Sequence, residues 1–198
     1  MALSKKALQH SVLVVLICAL IHCEKQDSKP SKKIDPFLFK SATELTGAIR
    51  RGEITSLSLL NLYLEQIQRF NHDINAVVAL DVDAARTRSA EADKALAQGQ
   101  DWGPLHGLPM TVKDVFEVIG MPTTSGDPKL QSYIPNRNAT AVQRLIDSGA
   151  IIFGKTNVPY HARDFQSYNE VYGTTNNPWE LSRTPGGSSG GSAAALAA

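Results

Sequence analysis

Lys113 and a hydroxyl-bearing stretch near residue 190 are the residues whose types and spacing could do chemistry. In Pro185-Gly-Gly-Ser-Ser-Gly-Gly-Ser192, Ser188 and Ser189 sit inside four glycines, and an alanine-rich segment, 193–198, follows. Glycine reaches backbone conformations closed to other residues and permits close approach of a neighbour. Alanine favours helix. A Gly/Ser loop running into a helix start gathers free N–H groups and hydroxyls in one place, as a reaction site requires. Gly/Ser runs also serve as flexible linkers, but the proline before this one and the apolar alanines after it argue against that role. Gly187, Ser189 and Gly191 fit G-x-S-x-G, the turn that exposes a nucleophilic serine. That turn needs a strand directly before it, and Leu181–Pro185 is polar and proline-ended. A phosphate loop would place a lysine after the glycines, where Ser192 and alanines stand. Lys113 lies in Leu-Pro-Met-Thr-Val-Lys113-Asp-Val-Phe116. Burial in such an apolar run would lower its pKa, because the charged form loses solvation, and a neutral lysine can act as a base. Taken alone, the run favours a solvated lysine paired with its neighbour Asp114, since most lysines are solvated.

The elements that must position these groups follow from pattern. Ser41 with Glu44 fits a capping box, ahead of a helix with Ala42, Leu45, Ala48 and Ile49 on one face and Gly52 as its stop. Thr55 or Ser56 caps a second helix, whose Leu60, Tyr63, Leu64, Ile67 and Phe70 recur at helical spacing and predict core. The β-branched run from Ile74 to Leu80 predicts a strand, and Asp83–Gln98 a charged, Ala-rich helix ended by Gly99. Met110–Val118 predicts a strand or strand-turn carrying Lys113. Thr140–Ser148 predicts a helix with Val142, Leu145 and Ile146 inward, and Ile151–Phe153 a buried strand. Strand, helix, strand implies a right-handed parallel crossover. The chain from Gly154 to Gly187 is loop-rich, and loops that long in a compact domain are usually functional. No repeat or low-complexity tract is present.

The 198 residues suffice for one domain with a real core. The net charge of +1, without a basic stripe, excludes nucleic-acid binding by charge alone. His72, His106 and His161 lack the spacing of a metal site or a triad and read as loop or packing histidines, and Asp127, Asp164 and Glu170 make no carboxylate pair. Both cysteines, Cys18 and Cys23, lie in or just after the apolar run Ser11–Ile21, so the rest of the chain has neither a disulfide framework nor a cysteine-based metal site. Lys5 and Lys6, the apolar run and the polar stretch after it occur in export order. Residues 1–23 are therefore expected to be a signal peptide or membrane anchor, 24–36 a polar linker, and the protein periplasmic, secreted or membrane-anchored. Cys23, with Leu20 before it, resembles the lipid-modified cysteine of bacterial lipoproteins, although His22 stands where a small residue is usual.

Four blocks together resemble the amidase signature family: Gly107-Leu-Pro-Met-Thr-Val-Lys113-Asp114, Gly154-Lys-Thr-Asn157-Val-Pro159, Gly173-Thr-Thr-Asn-Asn-Pro178-Trp179 and Gly186-Gly-Ser-Ser-Gly-Gly-Ser-Ala-Ala-Ala195. Their order and the interval from Lys113 to Ser188 agree as well, over roughly residues 37–198. The resemblance implies an α/β fold, a mixed sheet flanked by helices, incomplete in this chain. It implies a Ser–cis-Ser–Lys amide hydrolase with no cofactor and no metal. Lys113 matches the catalytic lysine and Ser188 the middle serine, joined to Gly187 by a cis peptide. Ser189 matches a loop-supporting position. Ala162, Arg163 and Asp164 fall where the family lines its acyl pocket. The nucleophilic serine lies beyond Ala198 in the family, so the isolated 198-residue chain is expected to be an inactive, truncated N-terminal part with an unfinished sheet. The same motifs resemble the amidase-type component of the glutamyl/aspartyl-tRNA amidotransferase, which works with partner subunits; the export-like N-terminus disfavours it. A non-catalytic product is the other alternative. The amide remains open among fatty-acid, small aliphatic, peptide and cyclic oligomeric amides, and the oligomeric state is open too.

Overall fold

The computed structural model describes residues 35–198. The leader, anchor and lipidation readings, and the linker up to residue 34, lie outside the described residues. Helix α1 (Ala42–Arg50) starts at the expected capping box: the Ser41 hydroxyl accepts from the Glu44 N–H, and the Glu44 carboxylate accepts from the Ser41 N–H at 2.9 Å. Helix α2 (Ser56–Ile74) is capped by Thr55, whose Oγ1 accepts from the Ser58 N–H, and ends at Asn75 in the left-handed conformation (φ +52°). That ending shortens the predicted strand. Ile74 belongs to α2, and β1 covers only Val77–Leu80. Helix α3 (Val82–Ala97) begins at Asp81, strand β2 covers Pro109–Lys113, helix α4 covers Thr140–Asp147 and strand β3 covers Ile151–Thr156. Strand β2 stops short of the predicted Val118 because the chain turns at Asp114, whose N–H donates to the Thr156 carbonyl while its own carbonyl accepts from the Ser125 N–H. Strand β3 runs three residues past the predicted Phe153. The short pair β4 (Tyr168–Asn169) and β5 (Gly173–Thr174) folds the following loop on itself, and helix α5 (Gly190–Ala197) follows the glycine-rich turn.

The main sheet has the order β1-β3-β2. Strand β2 runs parallel to β3, as the strand–helix–strand reading requires, and β1 runs antiparallel to it, so the sheet is mixed and flanked by helices. In register, Lys113 lies opposite Thr156 at the end of the parallel pair, and Val77 lies opposite Thr156 on the other side. Leu45, Ile49, Leu59 and Leu108 pack α1 and α2 together over the approach to β2. Leu60, Ala85, Ala92, Ile151 and Phe153 join α2 and α3 to β3. Val142 of α4 meets Val112 of β2, while Leu145 and Ile146, expected inward, are only half-buried. Of the α2 stripe, Leu60 is fully buried. Tyr63, Ile67 and Phe70 instead line an apolar groove of about 390 Å³, which α5 and the sheet share.

One polar cluster sits inside this frame. Asp114 and Lys155 are both fully buried, with Nζ 3.1 Å from Oδ1. The carboxylate also accepts from Thr124 Oγ1 at 2.6 Å, and Nζ also donates to Thr123 Oγ1 at 2.9 Å and to the Pro122 carbonyl at 3.2 Å. Burial pushes the Lys155 pKa down while the Asp114 carboxylate acts the other way. Truncating one member of a buried pair leaves the other charge uncompensated, so Lys155→Met is expected to cost about 3–5 kcal/mol in urea unfolding. Asp114→Asn combined with Lys155→Met should cost clearly less than the two single losses added. The exposed capping box supplies the contrast: Ser41→Ala should cost about 1 kcal/mol in the same measurement.

Candidate active site

The end of β2 and the glycine-rich turn meet at one contact. Lys113 Nζ donates to Ser188 Oγ at 2.7 Å across 75 residues of sequence. The Gly187–Ser188 peptide is cis, as the resemblance implied. Lys113 and Ser188 are both half-buried, and burial lowers the Lys113 pKa from its ordinary 10.5. Pairing of Lys113 with Asp114, the alternative open from sequence, is not what the structure shows: the carboxylate is taken by Lys155 and Thr124, and the lysine by Ser188.

The turn comes this close because its glycines lack a Cβ. A Cβ on Gly187 would stand 2.6 Å from the Gln166 N and 2.7 Å from the Asp164 O, and one on Gly191 would strike the Asn157 backbone. Asp164 therefore packs beside the Gly187–Ser188 peptide through its backbone. Its side chain turns to the neighbouring chain segment, with Oδ1 accepting from the Gln166 N–H and Oδ2 from the Tyr168 hydroxyl. Ala162 closes a 3-10 turn, Tyr160–Ala162, in the left-handed region (φ +55°), and Arg163 follows it exposed. Ser189 is exposed and precedes α5. Its carbonyl accepts from the Ala193 N–H, but its hydroxyl does not cap the helix. No strand directly precedes the turn, which is what the nucleophile-elbow reading would have needed.

Several residues that hold the site were not singled out from sequence. Ser192 Oγ and Thr156 Oγ1 lie 2.7 Å apart, tying the first turn of α5 to the end of β3. Asn157, fully buried, donates to Thr175 Oγ1 at 3.0 Å and accepts from Asn169 Nδ2 at 2.7 Å. Asn169 Oδ1 in turn accepts from the Val171 and Tyr172 N–H groups. Lone Asn and Ser residues in a loop look alike in sequence; Thr156, Asn157, Thr175 and Ser192 lie inside the quoted blocks, whereas Asn169 lies outside them and carried no signal. Of the three histidines read as loop or packing residues, His72 is exposed on α2, with Nε2 3.1 Å from Asp73 Oδ2. His106, fully buried, accepts from the Trp102 N–H through Nδ1 and faces the Ala92 carbonyl through Nε2. His161 Nε2 lies 2.8 Å from Asp127 Oδ2.

Comparisons with known proteins identify the family. The family model described as Amidase matches residues 58–198. A glutamyl-tRNA(Gln) amidotransferase subunit from Acidothermus cellulolyticus is 43% identical over 159 residues, covering 80% of this chain and 32% of that protein. Among solved structures, peptide amidase from Stenotrophomonas maltophilia superposes with a TM-score of 0.75 at 34% identity, covering 82% of this chain and 35% of that one. A 6-aminohexanoate cyclic dimer hydrolase bound to its substrate gives 0.73 at 34% identity, covering 81% and 32%. The chain thus spans about a third of the length of the curated relatives it matches, 32% for the one above. With the family model matched across residues 58–198, this protein belongs to the amidase signature family.

Proposed function

We propose that Lys113 and Ser188 serve an amide C–N hydrolase whose nucleophilic serine follows Ala198 in the full-length protein. The observation that carries the reading is the 2.7 Å contact between Lys113 Nζ and Ser188 Oγ, made beside the cis Gly187–Ser188 peptide. In its neutral form Lys113 takes the proton of Ser188, and Ser188 Oγ takes the proton of the nucleophile as that hydroxyl attacks the amide carbonyl. The tetrahedral oxyanion is stabilised by backbone N–H groups. On collapse the C–N bond breaks, and the proton held by Lys113 returns through Ser188 to the departing amine. Water then hydrolyses the acyl-enzyme. Ala162, Arg163 and Asp164 border the acyl group in this reading, and Gly187 and Ser189 shape the loop beside it. The order of charge and hydropathy in residues 1–23 supports an exported enzyme.

A second reading is favoured by one observation, the 43% identity to a protein named as part of glutamyl-tRNA(Gln) amidotransferase. It places the same chemistry in a complex that passes ammonia to a tRNA-bound substrate. The two readings separate by partner and location. A cytosolic complex that consumes glutamine only with its other subunits supports the second, and amide hydrolysis by the exported protein alone supports the first.

The full-length protein is expected to release ammonia or amine from carboxamides. Lys113→Ala should lower kcat/KM by about a hundredfold to ten-thousandfold with an unchanged circular dichroism spectrum, and turnover at the wild-type rate would sink the assignment. Because the working lysine is neutral, kcat/KM should rise with pH as Lys113 loses its proton. Burial depresses that pKa, so the limb should lie below the ordinary 10.5. A limb at or above 10.5 would exclude a burial-depressed Lys113 as the base.

A further inference from the structure

We infer that Ser167 is a positioning residue for Ser188, its buried hydroxyl tying together the two ends of the turn that presents Ser188 to Lys113. The inference rests on the reading of Lys113 and Ser188 given above and names what sets their contact.

Ser167 is 1% exposed, and its hydroxyl makes two hydrogen bonds to the turn. Oγ donates to the Gly186 carbonyl at 3.2 Å and accepts from the Gly190 N–H at 2.9 Å. These two backbone groups bracket Ser188, two residues before it and two after it. A hydroxyl has one proton to give and lone pairs to accept with, so a single side chain can hold both ends, one of each kind. The approach depends on Gly190: a Cβ there would stand 2.5 Å from Ser167 Oγ. Any larger residue at 190 would push the hydroxyl off.

The other side of Ser167 is fixed to the frame and not to the turn. Its carbonyl accepts from the Thr175 N–H at 2.8 Å. Thr175 Oγ1 donates to the Asn75 carbonyl at 2.7 Å and accepts from Asn157 Nδ2 at 3.0 Å. Asn75 ends α2, and Asn157 directly follows β3, the strand that also pairs with the end of β2 bearing Lys113. Lys113 and the Ser167 hydroxyl are thus referred to the same strand. The turn between them is otherwise exposed at Gly187 and Ser189. With the hydroxyl removed, the buried Gly190 N–H loses its partner and pays its desolvation cost, and the half-buried Gly186 carbonyl loses one too. The turn then relaxes to find water, carrying Ser188 Oγ away from Lys113.

The test uses the full-length protein with 13C-labelled lysine, the Lys113 side-chain signal being assigned by Lys113→Arg. Ser188→Ala defines where that signal lies when the partner is lost. Ser167→Ala is expected to move the Lys113 signal most of the way to that position, while the Lys155 signal, held by Asp114, stays in place. Ser167→Cys puts a somewhat larger, weaker hydrogen-bonding thiol in place of the hydroxyl and should give a smaller shift. It replaces the alanine variant if that one does not fold. A folded variant that leaves Lys113 at its wild-type position, while Ser188→Ala moves it, overturns the role of Ser167 alone. If Ser188→Ala leaves Lys113 unmoved as well, the lysine–serine contact itself falls, and the proposed relay with it.

Discussion

At the end of β2 the chain turns at Asp114, and that turn sends the Asp114 side chain away from Lys113. The rest of the site depends on this separation. A carboxylate beside a lysine in sequence would be its natural partner and would hold it charged. Here the carboxylate points inward, where Lys155 of β3 and the Thr124 hydroxyl satisfy it completely. Lys113 finds a neutral hydroxyl instead. One lysine is committed to structure, and the other is left with burial as the influence on its proton. The parallel pairing of β2 with β3 makes both outcomes possible, since it brings Lys155 and Thr156 alongside the same strand end.

The second half of the site is built by close approach. The glycine-rich turn lies directly on two stretches of backbone, residues 164–166 at Gly187 and Asn157 at Gly191, at separations that a Cβ would forbid. Packing of backbone on backbone leaves polar groups that must be paired, because an unpaired buried N–H or C=O costs about as much as a lost hydrogen bond. The amides and hydroxyls of Asn157, Asn169, Thr175 and Ser167 supply those partners. They stitch the long loop after β3 to the end of α2 and to the turn, so the loop acts as a scaffold although it holds little regular structure. The apolar groove between α2 and α5 contrasts with this. Its lining is hydrophobic and only half-covered, while the polar side of the same helix start is tightly bonded.

Local signals wrote the elements clearly. The Ser41–Glu44 box, the Thr55 cap, the β-branched run before Leu80 and the Gly99 stop each act within a few residues, so their reading needs no tertiary knowledge. The ends of strands were harder. Whether Ile74 closes a helix or opens a strand depends on Asn75 adopting the left-handed conformation, and where β2 stops depends on the turn that binds Asp114 to Thr156 and Ser125. The α2 stripe predicted core throughout, yet periodicity reports only that residues share a face, and burial of that face depends on what is packed against it.

The sequence by itself determined the kinds of groups available and their order: a lysine ending an apolar strand, serines among glycines before a helix, and blocks whose combined pattern marks the amidase signature family. Glycine's missing side chain and alanine's helix preference are properties of single residues and survive any context. Which groups meet was set by the packing of the folded chain. Lys113 and Asp114 adjoin in sequence but part at the end of the strand, whereas Lys113 and Ser188 lie 75 residues apart and touch. The roles of Lys155, Ser167 and Asn157 come from the same source, because a hydrogen-bond partner is a fact of three-dimensional distance, and nothing in the local chemistry of a serine or an asparagine says which backbone group it will reach.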